Sequence, residues 1–418
     1  MSVETSFQDL YERLVKATAE NDRRELRQIR RHHFDAHQVD CLLHPHRYAP
    51  VWQVGDCDCG GEGEPDCVAS CIFRAITRDE TGKVIINRDL CVGCAACIDN
   101  CKAKKLTESK DILPVLDAVK NAKGPIYAMI APAFIGQFSA DITPGMLRSA
   151  FKKMGFTGMV EVALFADILT LKEALEFDRR IVQDEDFMLT SCCCPIWIAM
   201  IRKVYNQLLP HVPGSVSPMI ACGRTIKFME PDAVTVFIGP CIAKKSEARE
   251  KDIEDAVDYV LTFQEVNDLF EAFEVNLSDM EDDPREHSSK AGRIYARTGG
   301  VSEAVQSTVA LLNPNRTLAV KARQADGVGS CRELLNMLRE GKVEENFLEG
   351  MGCEGGCVGG PKAILIREKG RDNVNRYAAE ANHLTPIDNP YLLEMLGRLG
   401  LHSVESHLEE TKFFTRHF

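Results

Sequence analysis

Cys91, Cys94, Cys97 and Cys101 stand in C-x2-C-x2-C-x3-C spacing, and no other feature of this 418-residue chain restricts its folding as tightly. Thiols spaced this closely wrap one face of an iron–sulfur cluster, and the fourth of such a run commonly turns to a second cluster. A second set precedes them: Cys57, Cys59, Cys67 and Cys71, in the irregular spacing C-x-C-x7-C-x3-C with the insertion GGEGEPD. The segment around both sets is rich in Gly, Cys and Asp, with short strand-like pieces such as KVIIN. A segment so poor in large apolar residues needs a staple in place of a core. Structural zinc is the alternative occupant.

The rest of the composition narrows the class. Hydrophobic residues make up 45% of the chain, enough for a sizeable core, and the length suits two or three domains. Apolar runs are too short and interrupted for a membrane span. The start, MSVETSFQDLYERL, is amphipathic and charged, without a signal-type apolar stretch, so the expected location is the cytoplasm. There the 17 cysteines are not a disulfide framework; clustered cysteines bind metal or do redox chemistry. A net charge of −12 without a basic stripe argues against nucleic acid or anionic membrane as partners. The basic run 23–31 alternates with Glu25, Leu26 and Ile29 and reads as a solvated helix face.

Four regions are expected. Residues 1–50 form a helical extension, with Phe7, Leu10, Leu14 and Ala17 at helical spacing and Asn21 or Asp22 capping a second helix. Residues 51–110 hold both of these cysteine runs. Residues 111–365 read as α/β, with apolar runs at 126–131, 159–164, 234–238 and 293–297 alternating with helical segments such as 168–181 and 331–340. The acidic stretch 278–289 is a surface loop. Residues 363–367 read as a short strand leading into a helical tail, 366–418.

Three more motifs lie in the α/β region. Residues 190–197 read TSCCCPIW, 239–247 read GPCIAKKSE, and 349–361 read EGMGCEGGCVGGP. The second follows the strand-like VTVFI, which puts Cys241 at a strand's C-terminal end, where ligands of open α/β sheets gather. Glycines around Cys353 and Cys357 let backbone approach a bulky group.

These three stretches, in this order, resemble the signature segments of the [FeFe] hydrogenases, and the similarity runs from about Ile126 to the C-terminus. Over about 50 residues, the preceding cysteines resemble a bacterial two-[4Fe–4S] ferredoxin. The resemblance implies crossed ligation: Cys57, Cys59, Cys67 and Cys101 around one cluster, Cys71, Cys91, Cys94 and Cys97 around the other. It implies that Cys194, Cys241, Cys353 and Cys357 hold a third [4Fe–4S] cluster. Cys357 then bridges to a two-iron centre carrying CO, CN and a dithiolate amine, the whole being an H-cluster. Ala131, Pro132, Ala133, Met351 and Glu247 match family positions near that centre, and Lys244 matches a lysine beside a cyanide ligand, a sensible partner for an anion. Cys193, Glu173 and Glu176 match successive proton stations, with Arg180 near the exit. Read alone, Glu173, Glu176 and Arg180 are only acids and a base sharing an exposed helix face.

Several residues depart from the family pattern. Ile72 and Lys102 stand where proline usually follows the fourth cysteine of each run. Pro213 aligns with a relay serine, leaving Ser215 or water as its substitute. Met219 replaces a glutamine, Gly239 replaces a methionine and opens space beside Pro240, and Cys192 makes a triple cysteine. Such changes resemble divergent branches, some of them suspected hydrogen sensors.

The resemblance therefore implies a two-lobed α/β catalytic domain with the active cluster between lobes, an α+β ferredoxin-like domain, and a C-terminal wrap over 389–408. The implied reaction is reversible reduction of protons to H2. Its implied partners are a ferredoxin or similar electron carrier and the maturation proteins that build the two-iron centre. The competing classes are a slow H2 sensor and an iron–sulfur assembly or electron-transfer protein without the two-iron site. Cys41, Cys222 and Cys331 read as buried thiols, His44 and His46 as solvent-facing or capping, and Trp52 and Trp197 as packing residues.

Overall fold

The computed structural model describes residues 3–29, 34–57, 59, 63–80, 83–403, 406 and 411–418. Gly60, Gly61 and Glu62 of the insertion, Arg30 and Arg31 of the basic run, and His407 and Leu408 of the tail lie outside the described residues.

The helix Val3–Ala19 buries Phe7, Leu10, Tyr11, Leu14 and Val15. That face packs on the helices Ile112–Asn121 and Phe263–Ala272, so the N-terminal extension completes the core of the α/β region. Asp22 is the cap: its carboxylate accepts from the backbone N–H groups of Arg24 and Glu25 at 2.9 and 3.0 Å. Asn21 turns the chain just before it at φ 57°.

Four short strands follow: β1 (Val51–Gln53), β2 (Ile76–Arg78), β3 (Val84–Ile86) and β4 (Leu106–Glu108). β1 pairs antiparallel with β4, and β2 with β3. With the helices Asp66–Ala69 and Ala96–Asp99 they make a small α+β unit. Its core is thin, and Cys67, Cys91 and Cys97 are part of it.

The α/β region contributes β5 (Ile126–Ile130), β6 (Gly158–Glu161), β7 (Met188–Leu189), β8 (Val234–Gly239), β9 (Tyr259–Thr262), β10 (Ala322–Asp326) and β11 (Phe347–Met351). They form two all-parallel sheets, in the orders β6-β5-β8-β9 and β10-β11-β7. Each sheet has its own hydrophobic cluster, so the mixed α/β fold is two-lobed as expected.

Two expected strands are absent. Residues 293–296 are helical, in the turns Lys290–Arg293 and Ile294–Ala296, and only Arg297 is extended. Here buried tertiary contacts override the apolar pattern: Arg293 donates to the Tyr377 carbonyl at 2.8 Å and to Glu286 at 2.9 Å, and Ile294, Tyr295 and Ala296 are buried. Residues 363–367 are not a strand, because the Gln137 side-chain carbonyl accepts the N–H groups of Ile364 and Leu365 that a ladder would have used. The run 159–164 leaves the sheet at Glu161 and enters the helix Ala163–Arg180.

The tail wraps this helix. The helix Pro390–Arg398 buries Leu392 and Leu396 in one cluster with Ile168, Leu169, Phe413 and Phe414. Val216 donates to the Phe414 carbonyl at 3.0 Å, and Arg416 to that of Gly214 at 3.1 Å. No helix among the described residues is long and apolar enough to cross a membrane.

Candidate functional site

The sheets and short helices bring the twelve cysteines named above into three groups. Cys71, Cys91, Cys94 and Cys97 line one pocket with Phe73 and Gly93. Cys59 and Cys101 are the thiols whose charge reaches Cys67, and Cys59 and Cys67 those that reach Cys57. The fourth cysteine of each run therefore stands with the other run. Backbone donors face the sulfurs: Ala75 N–H to Cys71 Sγ and Lys105 N–H to Cys101 Sγ, both at 3.3 Å. Such bonds stabilise cluster-bound thiolate.

The third group comes from both lobes. Cys194 follows β7 and precedes the helix Pro195–Val204, Cys241 follows β8, and Cys353 and Cys357 follow β11. Cys194 and Cys241 both act electrostatically on Cys353 and on Cys357, and the Gly352 N–H points at Cys194 Sγ at 3.2 Å. Burial pushes the Cys241 thiol up to about 11 and that of Cys357 to about 12. Groups held this neutral become thiolates only when a cation takes the proton's place. Sulfurs around one tetrahedral zinc would lie ~3.8 Å apart. Among the described residues, no three Cys, His, Asp or Glu side chains converge on a single-ion position. The donor sets fit iron–sulfur clusters.

The second and third groups adjoin. Cys94 is among the charges that Cys353 feels. Between them Gly93, at φ +75°, sits so close to Ile242 and Ala243 that an added Cβ would lie 3.1 Å from the Ile242 carbonyl oxygen. Ser246 donates to the Cys91 carbonyl at 3.1 Å. Cys59 of the first group is exposed.

Ala131 follows the strand β5 and caps the single turn Pro132–Phe134. Ala131 faces Gly239, where an added Cβ would lie 3.1 Å from the Ala131 Cβ and 2.9 Å from the Phe237 ring. The space expected from Gly239 is therefore filled, by the ring two residues back along β8. Lys244 Nζ lies 5.9 Å from that ring's centre and 2.6 Å from Glu247 Oε2. Burial alone would lower the Lys244 ammonium, but the charges of Glu247, Cys241 and Cys193 leave it raised. Met351 is buried, and its carbonyl accepts from the Cys331 thiol at 3.3 Å.

The acids are not an exposed helix face. On the helix Ala163–Arg180, Glu173 is 2% exposed and Glu176 3%. The Thr190 hydroxyl donates to Glu173 Oε2. Burial raises the Glu173 carboxyl to about 7, against the Thr190 bond, with the Glu176 charge adding to the rise. Cys193 feels Cys357, Cys194, Lys244 and Glu173, and so lies within electrostatic reach of both the cysteine group and the first acid. Glu176 and Arg180 line a cleft of about 480 Å³, together with Lys172, Arg179, Gly214 and Thr415.

Lys172 escaped the sequence reading, and Cys192 entered it only as the extra member of a triple cysteine, without a role. Cys192 feels both acids, and its thiol donates toward the Pro213 carbonyl at 3.7 Å. The triple cysteine was its only signal. Lys172 is buried against Glu176 at 2.8 Å, and its i, i+4 spacing was the signal. Ser215 Oγ and Glu176 Oε2 are buried without a hydrogen-bond partner. His46 pairs with Asp111 at 3.6 Å, and His44 caps the helix Ala36–Leu43.

The sequence model of the iron-only hydrogenase large subunit, C-terminal domain, matches residues 124–361, more than half the chain. Iron hydrogenase 1 of Clostridium pasteurianum is 28% identical over 313 residues, 62% of this chain but only 54% of the relative. The alignment with the NADP-reducing hydrogenase subunit HndD of Solidesulfovibrio fructosivorans, at 26% identity, covers 78% of this chain and 66% of that one. The chain thus spans less than two thirds of either relative. Cytosolic iron-sulfur assembly component 3 of Pongo abelii is also similar, at 25% identity over 68% of this chain and 72% of the relative. A solved [FeFe]-hydrogenase, HydA(deltaEFG), superimposes with a TM-score of 0.59 at 21% identity, over 73% of this chain and 98% of its own.

Proposed function

Because the chain belongs to the iron-only hydrogenase large-subunit family, we propose that it interconverts protons and H2 at an H-cluster held between its two lobes. In this reading Cys194, Cys241, Cys353 and Cys357 would hold the [4Fe–4S] part, and Cys357, with Ala131, Pro132, Ala133 and Met351, would hold the two-iron centre. When bound, that group supplies the chemistry of combining two protons and two electrons into H2, and of the reverse. Lys244, steadied by Glu247, presents a buried positive charge to its anionic ligands.

The first cysteine group, where Cys59 reaches the surface, would hold a cluster that takes electrons from a ferredoxin or similar carrier, and Cys94 and Cys353 would hold the facing sides of the second and third clusters. Protons travel between Cys193, Glu173 and Glu176, then leave past Arg180. Pro213 offers no side-chain proton, and the buried Ser215 hydroxyl, without a hydrogen-bond partner, would take its place. We place the chain in the cytoplasm, with maturation proteins building the two-iron centre.

The observation that carries this reading is the buried run of acids from Cys193 to a surface cleft. An iron–sulfur assembly or electron-transfer protein would not need a proton route into its core. Infrared spectroscopy of anaerobically purified, maturated protein tests the reading. Bands of metal-bound CO and CN that shift under H2 are expected. Their absence, with active maturation proteins and full [4Fe–4S] content, would move the chain to the assembly class. A slow turnover with shifting bands would make it a sensor.

A further inference from the structure

We propose that Lys172 is a positioning residue that sets the rate of proton passage at the outer acid, by pinning Glu176 between the cleft and Glu173. The proposal rests on the reading of Glu173 and Glu176 as proton stations, and adds a residue that this reading does not require.

Lys172 Nζ bonds Glu176 Oε1 at 2.8 Å, with the two side chains 4% and 5% exposed. The other oxygen, Oε2, is buried without a hydrogen-bond partner. Lys172 and Glu176 both line the cleft, so the pair stands where protons exchange with solvent. A carboxyl that relays a proton must receive it on one side and release it on the other, so it must be free to reorient. An ammonium bonded to one oxygen opposes that rotation, and its positive charge opposes an approaching hydron. Charges facing the pair are the acid Glu173 inward and Arg179 and Arg180 at the cleft, which add to the barrier. Arg416, also in the cleft wall, is taken up by Glu250 and Asp252. Cys192 lies within the field of Lys172 and both acids. A lysine is costly to bury, and this one stands in the cleft wall against the outer acid.

The test reads proton exchange directly and does not need turnover. The full chain carrying its [4Fe–4S] clusters is moved into D2O, with and without prior maturation. The infrared S–H band of Cys193, assigned by its absence from Cys193→Ala, is followed as it converts to S–D. Lys172→Gln is expected to speed conversion about tenfold, which corresponds to ~1.4 kcal/mol of barrier. Lys172→Arg is expected to leave it within twofold of wild type, and Glu176→Gln to slow it. Lys172→Met, which keeps the apolar stem, is the second variant should Lys172→Gln not fold. Amide exchange along the helix Ala163–Arg180 must stay unchanged in the faster variant. Conversion no faster in the neutral variants, or faster only with parallel loss of amide protection, overturns the proposal. Because the unmaturated chain gives the same readout, absence of CO and CN bands would sink the hydrogenase reading while leaving this result standing.

Discussion

Gly350 lies against the indole of Trp197 so closely that a Cβ on it would come within 2.2 Å of the ring. The indole N–H in turn donates to the Thr190 carbonyl at 2.8 Å. One contact therefore fixes β11, which launches Cys353 and Cys357, to the helix that starts at Cys194. It also holds Thr190, whose hydroxyl bonds Glu173. Gly350→Ala is expected to destabilise the protein by about 1–3 kcal/mol or more, as an overpacked core does. Iron should be lost from the third cysteine group first. Iron and sulfide analysis beside thermal melting checks this; full iron with an unchanged melt would refute it.

Glu173 gives a pH dependence with a definite sign. Its carboxyl titrates near 7 in the fold and in the ordinary range when unfolded. The unfolded chain therefore loses this proton first as pH rises. The contribution of Glu173 to stability is full below the ordinary carboxyl range and is lost as pH climbs to about 7. Glu173→Gln should remove that slope in denaturation curves between about pH 4.5 and 7. In maturated protein, H2 production by the wild type should fall as pH rises through about 7, since the anion has no proton to give. The glutamine variant should lose activity by roughly 10²–10⁴-fold. A pH-independent wild-type profile through this window would count against Glu173 as a station.

Gly93 is expected to set the contact between the inner ferredoxin-like group and the third group. An added Cβ must push Ile242 and Ala243 away, in a backbone conformation that L residues rarely adopt. Gly93→Ala should keep all three clusters but slow electron delivery to the third. Stopped-flow reduction by a ferredoxin would read this directly. An unchanged rate would place the electron crossing elsewhere.

Glu108, at the end of β4, accepts from Lys110 and, at 2.8 Å, from Lys362 just beyond the third motif. Burial opposes its ionisation, yet the two ammonium groups hold its carboxyl well below the usual range. Its stabilising contribution is present above the ordinary carboxyl range and is lost as pH falls below it. Lys362→Ala should cost about 1–2 kcal/mol near neutral pH, since Lys110 remains to cover the charge. Melting curves of the variant should show a shallower acid slope than wild type. A variant as stable as wild type would mean that this bond does little to tie the cluster-bearing segment to the lobes.

The acids illustrate what was legible and what was not. Their spacing on one helix face could be read from the sequence, because helical periodicity is local. Whether that face met water or the core could not, and Glu173 at 2% exposure is a tertiary result. Gly239 shows the same limit: its missing side chain was visible, but the Phe237 ring that fills the gap was not. The strand β10 has the sequence ARQAD, with no apolar run to reveal it, and exists because β11 pairs beside it.

The sequence by itself determined the cysteine runs, the order of the three later motifs, the helical extensions and the α/β class, because spacing and hydrophobic period act over a few residues. The tertiary structure alone decided that the acids and Lys172 are buried, that Cys192 stands beside them, and that 293–296 is helical rather than a strand. Each of these depends on segments far apart in the chain, whose packing and buried hydrogen bonds outweigh local preference.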